Sequence, residues 1–404
     1  MLNDHSIQRY AYLKHGDVVA ELQEIGANPF EIANGGPKYY VSSFLKWAAG
    51  AHVLLVASHM RDDVLHLNSV KAIVFKGNGS VLRPLGRTFR EIRAFFKTFF
   101  LLWKFGPTCI LCSAANGQLL AGFLVSRLFS IPFIHTRHSR VDEIILSWDR
   151  RFILKINHWI IRQASAVLCH GPYLKQQLLD IGVDPERLFR FDASYRTILN
   201  SAEAEIDIPY WAMLEQKKCI LYVGRIEASK GVFDLLEACI KLLIADPSLA
   251  LLYVGDGSSQ GELKKRVNLL KLKGQVRFTG HIPHSKLSPI VRHCRFLVMP
   301  TRSILGEGRP KAAIEAFVLG TPTIVPNYGS FNYLVEDGVN SLCYTPDDVQ
   351  DLSSKLYSLL YDEILYKRLI KGAIKAGKRL LDPEVTFMEA LEQGFKYSIE
   401  HSHA

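Results

Sequence analysis

Short apolar runs of four to six residues recur along the chain, separated by longer stretches in which apolar residues return every three or four positions. In the first half the runs predict strands at 53–57, 72–75, 109–112, 132–136 and 166–170. The stretches around them predict helices at 39–49, 88–105, 117–129, 150–163 and 173–181. Periodicity lapses between 201 and 218, where acidic residues and a proline replace it, and the linker is set at 205–218. The alternation then restarts, with strands at 219–223, 249–254, 276–279, 296–299 and 322–325 and helices that include 231–245 and 310–319. Alternating strands and helices build open parallel sheets covered on both faces. The reading is an α/β protein of two doubly wound, Rossmann-like domains, 1–204 and 219–382, followed by a C-terminal helix within 383–404.

A length of 404 residues supports this division, because a single core rarely grows so large, and two domains imply a cleft between them. The net charge of +10 favours an anionic partner without choosing among nucleic acid, acidic lipid and a phosphorylated substrate. Residues 1–16 are polar and lack the apolar core of a signal peptide. The longest apolar stretches are interrupted, 119–134 by Arg127 and 95–105 by Lys97 and Lys104, and fall short of the roughly 20 residues of a spanning helix. Of seven cysteines only Cys109 and Cys112 are close, in an apolar run that reads as a strand. A lone pair of that kind points to buried thiols rather than zinc or redox chemistry, and to a reducing cytosol.

Ligands of open parallel sheets sit beyond the C-terminal ends of the strands, so polar residues there carry the candidate chemistry. No Walker loop, His-Glu-x-x-His helix, nucleophile elbow or Asp-x-Asp clamp is present in the sequence. The strongest segment is Leu305-Gly-Glu-Gly-Arg-Pro-Lys-Ala-Ala-Ile-Glu-Ala-Phe-Val-Leu-Gly320. Pro310 suits a first helical turn and Gly320 a C-terminal stop, so amides near Gly308, Arg309, Pro310 and Lys311 are placed to bind phosphate. Glu307 and Glu315 flank that place as acceptors for sugar hydroxyls, although a dipole-favoured glutamate and a surface glutamate spaced with Lys311 would give the same pattern. A second segment, Gly224-Arg225 to Lys230-Gly231 between strand and helix, offers two cations as a diphosphate cradle or two solvated loop charges. Gly255-Asp256-Gly257 is a third loop, either a close approach to ligand or a plain turn.

Together these spacings resemble the retaining, two-Rossmann GT-B glycosyltransferases of family 4. The resemblance spans about 35–382 and is tight between 224 and 337, through Arg225, Lys230-Gly231, the Glu307 to Glu315 spacing, Gly320-Thr-Pro and Glu336-Asp-Gly-Val-Asn. It implies two domains facing a central cleft, the first binding acceptor and the second a nucleotide-sugar donor. It further implies that Arg225 and Lys230 hold the donor diphosphate, that Glu307 contacts the sugar, and that Glu315 holds the ribose. More loosely, Asn34-Gly35-Gly36 resembles the family's glycine loop and His138, in His135-Thr-Arg-His138, its sugar-facing histidine. Arg309 stands where an aromatic residue is common, and Pro37-Lys38 follow the glycines where small or acidic residues are common.

Fixed cations and helix amides can stabilise a leaving diphosphate without a metal, so no cofactor and no metal are expected. The expected activity is retaining transfer of a hexose-type sugar from a UDP- or GDP-sugar to a glycan or lipid-linked acceptor. The expected setting is polysaccharide or lipopolysaccharide synthesis in the cytoplasm, with peripheral contact at the inner face of the plasma membrane. Arg90, Arg93, Lys97 and Lys104 form a basic stripe on the 88–105 helix, which suits either an anionic membrane or a helix with aromatic residues on the sheet and charges in water. A phosphorylase or sugar-nucleotide epimerase of the same architecture stays open, as does a non-catalytic basic binding protein. Nucleic acid is not an expected partner, because no reader motif or exposed aromatic-basic interleaving is evident.

Overall fold

A computed structural model describes residues 8–25, 36–59, 61–76, 84–138, 148–193, 195, 198–199, 211, 216–283, 286–305, 307–381 and 383–401. The chain divides into two compact units, 1–193 with 384–404, and 194–383.

The first unit is built on an eight-stranded sheet. Its strands are β1 (Arg9–His15), β2 (His52–His59), β3 (Asp63–Leu67), β4 (Val70–Lys76), β5 (Cys109–Cys112), β6 (Phe133–Arg137), β7 (Ala166–His170) and β8 (Leu188–Phe191). They lie in the order β3-β4-β2-β1-β5-β6-β7-β8, parallel throughout except for the β3–β4 hairpin at one edge. The helices are α1 (Val18–Ile25), α2 (Gly36–Trp47), α3 (Pro84–Phe105), α4 (Asn116–Phe129), α5 (Trp148–Arg162) and α6 (Gly171–Asp180). Two apolar clusters, one on each face of the sheet, form the core.

The central strand β1 is absent from the sequence-based reading, which describes 1–16 only as polar and assigns no element there. Its five inner positions are all buried, and one of them is Lys14, whose ammonium pairs with Glu21 of α1. A buried lysine is tolerated when a carboxylate neutralises it, and that partner lies outside the strand. Cys109 and Cys112 are buried on β5, and burial pushes both thiols up to about 12.

The aromatic face expected on the sheet is present only in part: Phe99 and Phe105 of α3 pack against the core. Ala94, Thr98 and Leu102 of α3 point inward, whereas Phe89, Ile92, Phe96, Phe100 and Trp103 are exposed alongside Arg93 and Lys104. Among the described residues no helix is long and apolar enough to cross a membrane.

The second unit holds a parallel six-stranded sheet with strands β9 (Lys218–Val223), β10 (Leu249–Val254), β11 (Val276–Gly280), β12 (Phe296–Val298), β13 (Thr323–Pro326) and β14 (Ser341–Tyr344). Their order, β11-β10-β9-β12-β13-β14, reverses direction of growth at β9 and β12, the doubly wound pattern. Its helices are α7 (Val232–Ala245), α8 (Gln260–Leu269), α9 (Leu287–His293), α10 (Lys311–Val318), α11 (Val349–Tyr361) and α12 (Glu363–Leu381). Gly377 lets α12 close on α10, since a Cβ there would come within 2.2 Å of the Phe317 carbonyl oxygen. The short helix α10 is thereby fixed from behind.

The C-terminal segment, set apart in the sequence as a helix within 383–404, belongs from 384 onward to the first unit. Helix α13 (Phe387–Glu400) starts at a capping box between Thr386 and Glu389 and lies against β7 and β8, where Gly394 meets Leu168 and Ala166.

Candidate functional site

Strands β9 and β12 are neighbours, and the loops leaving their C-terminal ends meet. Gly231, at φ +69°, closes the loop after β9; a Cβ here would sit 1.7 Å from the Pro300 carbonyl oxygen at the end of β12. No residue but glycine fits this contact without moving backbone. The Arg302 amide donates to the Ser229 carbonyl at 3.2 Å, and the Arg302 guanidinium forks onto Asp234 at 2.7 Å through both Nε and Nη2. These contacts bring Lys230 and Glu307, 77 residues apart, into an ion pair with both side chains mostly shielded from solvent. Thr301 adds a hydroxyl that donates to Glu307 Oε1 at 3.3 Å.

The loops after β9 and β10 are joined as closely. A Cβ on Gly255 would lie 2.0 Å from the Gly224 carbonyl oxygen, and the Ile226 amide donates to the Asp256 carbonyl at 2.7 Å. Gly224 and Gly255 are therefore packed backbone to backbone, with the Asp256 side chain exposed. The Tyr222 hydroxyl donates to the Arg225 carbonyl at 2.6 Å, and burial, with the Glu307 carboxylate adding to it, holds that phenol well above its usual range. The tyrosine thus remains a donor and pins the turn. Arg225 itself is 66% exposed and reaches Glu227 at 2.7 Å, unlike the shielded Lys230 at 18%.

Helix α10 begins at Lys311, with Pro310 at its N-cap and no side chain capping it. Gly320, at φ +75°, ends it through its amide bond to the Phe317 carbonyl. Glu315 is buried on this helix and Lys311 exposed. Gly308 and Arg309 precede the helix, and the Arg309 guanidinium bonds the Tyr195 hydroxyl at 3.1 Å and lies over that ring.

In the first unit, Gly36 opens α2, while Asn34 and Gly35 lie outside the described residues. Tyr40 of α2 places its ring 3.8 Å from that of His138, just beyond β6, and its hydroxyl 3.0 Å from His170 Nδ1 at the end of β7. Thr136 Oγ1 is 3.2 Å from His138 Nε2, and Phe191 and Phe387 wall the group. The adjacent His135 is fully buried; burial, aided by Arg137, pushes it down to about 3, so it is neutral at ordinary pH.

Thus Gly224, Arg225, Lys230, Gly255, Asp256 and Glu307 lie on interlocked loops beyond the C-terminal ends of the inner strands of the second unit, with Gly308 to Lys311 and Glu315 on and before α10. Gly36 and His138 belong to the first unit. Thr301, Tyr222, Tyr40 and His170 do not figure in the sequence-based reading, though all except Tyr40 stand in or at the ends of strands, where ligand-facing residues are sought.

Two doubly wound units with polar residues on the loops at their strand ends define a protein of the GT-B architecture. A family model for Glycosyl transferases group 1 matches residues 205–376, and one for a Glycosyl transferase 4-like domain matches 35–191. The chain belongs to this glycosyltransferase family. A glycogen synthase of Mycobacterium tuberculosis is 23% identical over 258 residues, 62% of this chain and 59% of that protein, so the match spans under two thirds of its length. An alpha-D-kanosaminyltransferase of Streptomyces kanamyceticus is 24% identical over 65% of this chain and 70% of its own. Among solved structures, a sucrose-phosphate synthase from Thermosynechococcus elongatus shares the fold with a TM-score of 0.71 at 21% identity, covering 98% of this chain and 100% of that one. Anabaena HepE in complex with UDP-glucose gives 0.66 at 15% identity over 98% and 100%.

Proposed function

We propose that this protein transfers a hexose-type sugar from a UDP- or GDP-sugar to a glycan or lipid-linked acceptor, with retention of configuration and without a metal. Its place is the cytoplasm, at the inner face of the plasma membrane, in the assembly of cell-surface polysaccharide or lipopolysaccharide. The observation that carries this reading is the Lys230–Glu307 pair, held where two glycine-locked loops meet beyond β9 and β12. HepE, of the same fold, has been crystallised with UDP-glucose, and the kanosaminyltransferase is by name a sugar transferase, which supports the donor class.

In this mechanism Lys230 and Arg225 take the diphosphate oxygens and offset the charge that builds as the sugar departs. Glu307 then exchanges its partner Lys230 for a donor-sugar hydroxyl, while Thr301 keeps the carboxylate oriented. Glu315 accepts from the ribose, and the amides at the start of α10 face a phosphate. His138, braced by Tyr40 and Thr136, lines the sugar. Attack occurs on the face the nucleotide leaves, and a leaving phosphate oxygen accepts the acceptor's proton, so no protein nucleophile is required.

The test is product analysis with a panel of labelled nucleotide sugars in EDTA. Label should pass to the acceptor fraction with its anomeric configuration kept. Label recovered only as free sugar phosphate or as an epimerised nucleotide sugar contradicts the transferase reading, and activity lost in EDTA but restored by magnesium or manganese contradicts the metal-free step.

A further inference from the structure

The exposed aromatic face of α3 does not end at that helix. Phe89 is 72% exposed, Phe100 64% and Trp103 54%, values far from those of core aromatics. Phe96 and Phe100 stack at 6.4 Å along the helix, and Trp103 meets the exposed Phe129 of α4 edge to face at 5.2 Å. The exposed Trp159 of α5 meets the buried Phe123 of α4 at 5.4 Å, which ties α5 to the same layer. Leu124, Leu128 and Phe152 are exposed as well, so exposed apolar side chains stand on three helices that pack side by side. Large continuous apolar patches on a protein surface mark a docking face.

Charge identifies the occupant. Helices α3, α4 and α5 together carry ten Lys and Arg against two acidic residues, a net +8 within a chain whose total is +10. Of the two acids, Glu91 accepts from the Gly117 amide at the start of α4 and is thereby engaged within the helix layer. Arg93, Lys104, Arg127, Arg151, Lys155 and Arg162 are exposed among or beside the aromatic positions. A second copy of this chain docked on the same face would set one basic surface against another, at an electrostatic cost. An anionic bilayer complements both properties: phosphate headgroups neutralise Lys and Arg, while Trp and Phe enter the headgroup and upper acyl region.

We propose that α3, α4 and α5 form a membrane-docking face for anionic phospholipid, anchored by Phe96, Phe100, Trp103, Phe129 and Trp159. This deepens the peripheral placement proposed above but does not depend on the sugar chemistry. Flotation with vesicles containing neither donor nor acceptor therefore tests it separately, and its failure leaves the donor reading standing. The full chain should float with phosphatidylcholine vesicles containing about 30% phosphatidylglycerol and not with phosphatidylcholine alone. Phe100→Ser with Trp103→Ser, and independently Arg93→Glu with Lys104→Glu, should each cut the bound fraction at least about tenfold. All four side chains are exposed, so thermal midpoints should stay near wild type and show that folding is intact. Absence of wild-type binding, equal binding to neutral vesicles, or undiminished binding by both variants overturns the proposal. A stable dimer that the aromatic variant turns into monomer also overturns it, by assigning the face to a second copy.

Discussion

Lys230 and Arg225 differ in a way that their shared place in a cradle conceals. Lys230 is shielded and already committed to a carboxylate, whereas Arg225 is mostly in solvent beside Glu227. An oriented charge in a screened site stabilises a developing anion far more than one in water. Lys230→Ala should therefore lower turnover about a hundredfold or more, and Arg225→Ala should lower it less unless donor binding draws the arginine inward. Steady-state assays on the two folded variants decide this, and near wild-type rates for Lys230→Ala would remove it from the site. The glutamates divide by what they meet. Glu315, assigned to a ribose bound alike before and during reaction, should when changed to Gln raise KM and weaken nucleotide binding. Glu307, assigned to the sugar whose charge changes, should as Glu307→Gln lower kcat and leave nucleotide affinity nearly unchanged. Calorimetry paired with turnover measures both, and the reverse pattern contradicts the assignment.

At the level of elements, the site depends on backbone approach. Gly231→Ala places a methyl group against the Pro300 carbonyl at a positive φ, so the β9 and β12 loops must part. The expected result is a thermal midpoint lower by about 5 °C or more, given roughly 2–4 °C per kcal/mol in a protein of this size, together with loss of activity. Gly261→Ala in α8, where a Cβ meets open space, should leave or slightly raise the midpoint and is the control. Equal midpoints for the two variants would show that the close contact is not needed. The apolar runs at 109–112, 166–170 and 249–254 are strands over those residues because they are buried on both faces and bounded by breaks in pattern. Strand β1 eluded the same logic because its apolar run is only Tyr10 to Leu13, bounded by Arg9 and Lys14, and the Glu21 that neutralises Lys14 belongs to the next helix. Lys230 and Glu307 stand out in the sequence by their loop positions, but their pairing depends on Gly231 passing Pro300, which spacing along the chain does not reveal. Thr301 and Tyr222 act through single hydrogen bonds whose partners only the fold supplies.

At the scale of the whole molecule, the chain forms two units that each have their own sheet and core. The first holds the aromatic and histidine cluster and, on α3, α4 and α5, a net charge of +8 that acidic residues elsewhere in the unit partly offset. The second concentrates the glycine-locked loops and the Lys230–Glu307 pair, suited to an anionic donor. Nucleotide should therefore bind with no acceptor, lipid or metal present, through a site that one substitution in the second unit disables. Calorimetric titration of UDP and GDP into the full chain in EDTA tests this most directly, with Lys230→Ala measured beside wild type. Wild type should bind at least one nucleotide saturably and the variant at least about tenfold more weakly, through the loss of an oriented charge-assisted contact. No heat of binding for either nucleotide, or equal affinity in the two proteins, would contradict it.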